Sequence, residues 1–96
     1  VEENSMDNRQ KENSVTASYM RKSKSWIFEV CDSNNKLIDI KYIKTFKLDF
    51  SGKLFKSYVE MLSKNFEKDG ITQKQIEEAI LKEAKECNIK PPKYLR

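Results

Sequence analysis

The chain reads as an α+β fold, an antiparallel β-ribbon of two to three strands followed by a two-helix, helix-turn-helix-like unit. Three observations carry this. Apolar residues alternate through Trp26, Phe28 and Val30, then Ile38, Ile40 and Tyr42, then Phe46, Leu48 and Phe50, and period two marks strands with one buried face. From Leu54 the period lengthens, and Leu54, Phe55, Tyr58, Val59, Leu62 and Phe66 recur at helical spacing. The run Asp69-Gly70-Ile71-Thr72 then supplies a helix stop followed by a helix cap.

Residues 1–23 are polar with scattered charges, and read as a flexible N-terminal arm ahead of a single domain over 24–96. Val15 and Tyr19 are spaced as on a helix turn, while Val15, Ala17 and Tyr19 also share one strand face, so a short ordered piece around Val15–Met20 is the alternative. Ser25–Cys31 makes the first strand. Asp32, Ser33, Asn34 and Asn35 tolerate left-handed backbone and bond their own main chain, so a turn follows.

Lys36–Ile43 makes the second strand, with Ile38, Ile40 and Tyr42 expected inward and Asp39 and Lys41 outward. Lys44 interrupts the alternation; without a Gly, Pro or Asn nearby, a bent or bulged continuation through Phe50 is favoured over a second hairpin. Asp49 or Ser51 can cap the first helix, with Gly52 at its mouth. Leu54, Phe55, Tyr58, Val59, Met61, Leu62 and Phe66 fall within an arc of roughly 160° of that helix, expected to lie on the sheet. Thr72 with Gln75 forms a capping box for the second helix, whose inner stripe is Ile76, Ala79, Ile80, Ala84 and Cys87. Asn88 ends it, and Pro91-Pro92 forbid resumption, leaving Lys90–Arg96 as an extended basic tail.

Ninety-six residues suffice for one modest core. The formal charge of +4 is mild, with the excess at the flanks, and permits a nucleic acid or acidic protein partner without requiring either. With no histidine, the commonest general base and metal ligand are missing. Cys31 and Cys87 are too few and too far apart for a zinc ribbon or a redox pair, and read as small hydrophobes. Gly52 and Gly70 stand alone, so no glycine-rich loop cradles phosphate. The carboxylates alternate with lysines at ion-pair spacing, as on a solvated face. No catalytic residue, metal or cofactor is expected, nor a membrane span, and the expected compartment is the cytoplasm.

The functional expectation is therefore a small non-enzymatic DNA-binding protein, a regulator or accessory factor in DNA processing. The candidate contacts to double-stranded DNA are Arg21, Lys22 and Lys24 at the base of the ribbon, Lys36 and Lys41 on its rim, and Gln73, Lys74 and Gln75 at the start of the second helix. Glutamine pairs with adenine, and Lys and Arg pair with guanine or phosphate. The hairpin at Asp32–Lys36 would serve as a wing in an atypical winged helix, atypical because the ribbon precedes the helices. A homodimer through the arm or ribbon would supply affinity that one domain lacks. The competing expectation is a protein–protein interaction module, an inhibitor or adaptor, that uses the ribbon edge or the tail Pro91–Arg96.

Overall fold

Trp26, Phe28 and Val30 are fully buried along one strand, and that strand is the centre of the sheet. The computed structural model describes residues 12–44 and 53–96. Within them the chain runs β1 (Ser14–Met20), β2 (Ser25–Cys31), β3 (Leu37–Lys44), α1 (Lys53–Asn65), a 3-10 turn at Glu67–Asp69, α2 (Gln73–Glu86) and a 3-10 turn at Lys93–Leu95. The three strands are antiparallel in the order β1-β2-β3, and the two helices follow them in the chain. This is the α+β arrangement expected from the alternating and helical periods.

The second half of the expected arm is a strand. Val15, Ala17 and Tyr19 lie opposite Val30, Phe28 and Trp26, so the strand-face reading of this segment prevails over the helical one. Tertiary bonds hold it. Asn13 Nδ2 donates to the Asp69 carbonyl at 2.9 Å, the Tyr19 N–H donates to Glu83 Oε2 at 2.9 Å, and the Arg21 guanidinium donates to the Cys87 carbonyl. These contacts run α2 alongside β1 in the same direction. A polar segment becomes a strand here because a helix and a central strand satisfy its two edges.

Turn chemistry sets both hairpins. Lys24 sits at φ 52 and donates its N–H to the Arg21 carbonyl at 3.3 Å, closing the first. In the second, Asp32 Oδ1 accepts from the Asn34 and Lys36 N–H groups at 2.8 and 2.9 Å, and Asn35 takes φ 64, as the sequence of that turn predicts.

The register of β3 differs from expectation. Trp26 pairs with Ile43, Phe28 with Lys41 and Val30 with Asp39, but Cys31 pairs with Leu37, a shift of one residue between Val30 and Cys31. A one-residue slip moves every side chain of a strand to the other face. Asp39, Lys41 and Ile43 therefore share the core face with Trp26, Phe28 and Val30. Ile38, Ile40 and Tyr42, expected inward, point away from the core, and Lys41 and Asp39, expected outward, lie on the helix side.

On α1, Phe55, Tyr58, Val59 and Leu62 are buried, whereas Leu54 and Met61, together at one end of the expected arc, are exposed. Phe55 meets Trp26 edge-on at 6.2 Å, and Tyr58 packs against Phe28 at 6.2 Å. Gly70 turns the chain at φ 79, and the expected capping box starts α2: Thr72 Oγ1 accepts from the Gln75 N–H at 3.2 Å, and the Thr72 N–H donates to Gln75 Oε1 at 2.8 Å. Ile76, Ile80 and Ala84 carry its buried stripe. Asn88 closes it at φ 58, with the Ile89 N–H donating to the Ala84 carbonyl at 2.9 Å.

Lys90–Arg96 is not an extended tail. Pro92 is fully buried, Tyr94 and Leu95 pack against the core cluster, and Arg96 Nε donates to the Pro91 carbonyl at 3.0 Å. The expected continuation of the ribbon through Phe46, Leu48 and Phe50, and the caps at Asp49 and Ser51, lie outside the described residues.

Candidate binding surface

The β3 strand presents an apolar surface because of its register. Leu37, Ile38, Ile40 and Tyr42 retain 47, 43, 47 and 68% of their accessible surface. Scattered exposed hydrophobes are ordinary, whereas these fall together on one strand. Ile27 on β2 lies opposite Tyr42 and is half-buried, extending the patch inward.

The strand is also an edge. Among the described residues, β3 has β2 on one side and no strand on the other. The Ile40 N–H donates to Asp39 Oδ1 at 2.8 Å rather than to β2, which shows that this amide points off the sheet. By the alternation of an antiparallel ladder, Tyr42 directs its main-chain groups the same way, while Ile38 is the extra residue of the bulge between Leu37 and Asp39, where the ladder is interrupted. The opposite edge, on β1, differs: Glu83 takes the Tyr19 amide, and α2 lies alongside. Among the described residues, one edge is covered and one is open.

The residues expected to contact DNA do not gather on one face. Arg21, Lys22 and Lys24 sit in the β1–β2 turn, at the end of the molecule where α2 finishes. Lys36 lies in the β2–β3 turn at the other end of the seven-residue β2, about 20 Å away. Gln73, Lys74 and Gln75 are at the start of α2, also at that far end, and Lys41 is midway along β3 on the helix side. The two glutamines are engaged locally: Gln73 Nε2 donates to Glu77 Oε2 at 3.0 Å, and Gln75 completes the capping box. Lys74 is exposed.

Among the described residues, no group of three or more Cys, Asp or Glu side chains is placed to hold a metal ion. Cys31 and Cys87 are free, half-buried thiols at opposite ends of β1: Cys31 pairs with Ser14, and Cys87 receives Arg21. The Cys87 Sγ donates to Glu83 Oε2 at 3.1 Å, and that bond, with burial and the carboxylate's charge, pushes the thiol above its ordinary pKa. Its nucleophilic form is thereby suppressed. Burial raises the Tyr94 hydroxyl too, with the Glu77 carboxylate adding to the effect. A shallow groove of about 270 Å³ runs between β1 and α2, floored by Ala17 and Ala79 and rimmed by Lys82, Glu83 and Glu86. No described helix is long and apolar enough to cross a membrane.

Compared with protein-family models, curated proteins and solved structures, the chain matches none.

Sequence reasoning missed Ile38, Ile40 and Tyr42 as surface residues because it assigned the same residues to the core. The available signal was the pair Asp39 and Lys41. Their alternation with the apolar set states only that the two sets face opposite ways, and which set faces the core depends on the length of the turn and the bulge before it.

Proposed function

We propose that this chain is a non-enzymatic protein-interaction module whose binding surface is the open edge and exposed apolar row of β3. The observation that carries the reading is the coincidence, on one strand, of outward-pointing main-chain groups at Ile40 and the exposed side chains of Ile38, Ile40 and Tyr42. Strand addition uses both features: main-chain bonds give affinity, and alternate side chains give selectivity. The opposite edge has no such opening, and the tail Pro91–Arg96 is committed to the core rather than available for presentation.

A photo-crosslinking amino acid at Ile40, compared with the same group at the exposed Lys85 on α2, tests this in an extract of the source cells. A discrete adduct from position 40 and none from position 85 is expected. Equal or absent labelling at both would remove the reading.

A second reading, a DNA-binding regulator or accessory factor built as an atypical winged helix, draws support from Arg21, Lys22 and Lys24 sharing one exposed turn. Fluorescence anisotropy with mixed duplex DNA over a salt series tests it. Binding that weakens steeply with salt supports phosphate contact by this turn, and no binding at low salt eliminates it.

A further inference from the structure

The sequence of β3 is complementary to itself. Resting on the reading of β3 as the interface, we infer that its occupant is a second copy of this chain, joined β3 to β3 in antiparallel register about Ile40.

An edge-to-edge pair must satisfy two conditions at once. Residues whose main-chain groups point off the sheet must oppose each other, and the side chains brought opposite must be compatible. Ile40 and Tyr42 are the outward-pointing positions beyond the bulge at Ile38, so registers that pair even-numbered residues with even-numbered ones satisfy the first condition. Centring on Ile40 satisfies the second: Ile40 meets Ile40 of the second copy once, on the axis, while Ile38 meets Tyr42, and Asp39 meets Lys41 on the helix side, twice each by symmetry. Centring on Asp39 would oppose two carboxylates, and centring on Lys41 two ammonium groups. Of these registers only the Ile40 centre sets Asp39 opposite Lys41; at its ends it also brings Lys36 opposite Lys44, a like-charge pair that the two central Asp39–Lys41 pairs must outweigh.

The isolated chain already has the groups poised. Asp39 Oδ1 occupies the Ile40 amide at 2.8 Å, and its Oδ2 lies at the 4.0 Å limit of contact with the largely exposed Lys68. In the pair, the Ile40 carbonyl of the second copy takes that amide, and the Asp39 carboxylate turns to Lys41 across the axis. The apolar rows of the two chains then continue across the axis as one surface. The contact is isologous and closes at two copies, since each chain has a single open edge among the described strands.

Sedimentation equilibrium of the full chain over a concentration series tests this. The native chain should show a reversible monomer–dimer equilibrium. Asp39→Lys and Lys41→Asp, each of which turns both cross-axis pairs into like charges, should weaken it by about tenfold or more, and the two combined should restore it toward native affinity. Near-ultraviolet circular dichroism of the buried Trp26 confirms that each variant keeps its core, and Lys41, being exposed, is the change least able to disturb it. A native chain that stays monomeric throughout, a dimer insensitive to both single reversals, or a double variant no better than the singles would overturn the inference. A monomer that still crosslinks from Ile40 to a different protein would end the self-pairing while leaving β3 as the binding surface; loss of both results would end both.

Discussion

The main-chain N–H of Tyr19 donates to Glu83 Oε2 at 2.9 Å, and this bond closes the outer edge of β1 against α2. The same oxygen accepts the Cys87 Sγ at 3.1 Å, so one carboxylate serves a strand edge and a helix end together. Removing it leaves an edge amide without its acceptor. Glu83→Ala should lower stability by about 1 to 3 kcal/mol in urea denaturation, with Glu83→Gln retaining much of the difference because the amide oxygen can still accept. Native stability in the alanine variant would show that the Tyr19–Glu83 bond does not help to hold β1.

The elevated Cys87 pKa gives a chemical readout of that contact. In a Cys31→Ser background, alkylation of Cys87 near pH 8 should be slow, and Glu83→Gln should accelerate it by weakening the bond and removing the nearby charge. Unchanged rates would mean that the thiol does not engage the carboxylate.

What the sequence disclosed about this fold follows from how local each signal is. The Thr72–Gln75 capping box, the Gly70 stop and the Asp32–Lys36 turn are written within a few residues, and each formed as read. The burial of Trp26, Phe28 and Val30 was equally legible, because β2 is central and its alternation is unambiguous. The β1 strand was obscured because Val15 and Tyr19 fit two periods, and the deciding contacts come from Asp69, Glu83 and Cys87, more than 50 positions away. The outward face of β3 was misread because parity across a hairpin depends on a bulge that no residue type announces. The folded tail was hidden because Pro91-Pro92 signals only where a helix cannot continue.

Inward and outward residues should separate cleanly by mutation. Phe28→Ala empties a fully buried site and should cost about 3 to 5 kcal/mol, enough to unfold a chain of this size under mild conditions. Ile40→Ala and Tyr42→Ala remove exposed groups, and the monomer should change by no more than about 0.5 kcal/mol in dilute thermal or urea melts. A large loss at Ile40 would place that side chain in the core.

Gly70 holds φ 79 between the 3-10 turn and α2, and a Cβ there would meet nothing within 4 Å. Only backbone conformation then opposes substitution. Gly70→Ala should cost about 1 to 2 kcal/mol and Gly70→Asn less, since asparagine tolerates the left-handed region. Equal costs for the two would argue for a steric origin instead.

Burial raises the Tyr58 hydroxyl from 10.0 to about 12. Because the folded value lies above the unfolded one, the stabilisation linked to this proton is complete below pH 10 and is lost as the pH rises toward 12. Alkaline unfolding should therefore begin in that window, and Tyr58→Phe should move its midpoint upward. An unshifted midpoint would assign the alkaline transition to other groups.

The exposed surface of β3, and every contact proposed for it, depends on the register between β2 and β3, and cross-strand nuclear Overhauser effects measure that register directly. Alpha-proton contacts between Glu29 and Ile40 and between Ile27 and Tyr42 are expected, since these are the paired positions that do not exchange main-chain bonds. Contacts joining Phe28 to Ile40 and Trp26 to Tyr42 instead would return Ile38, Ile40 and Tyr42 to the core face and contradict the assignment of β3 as a binding surface.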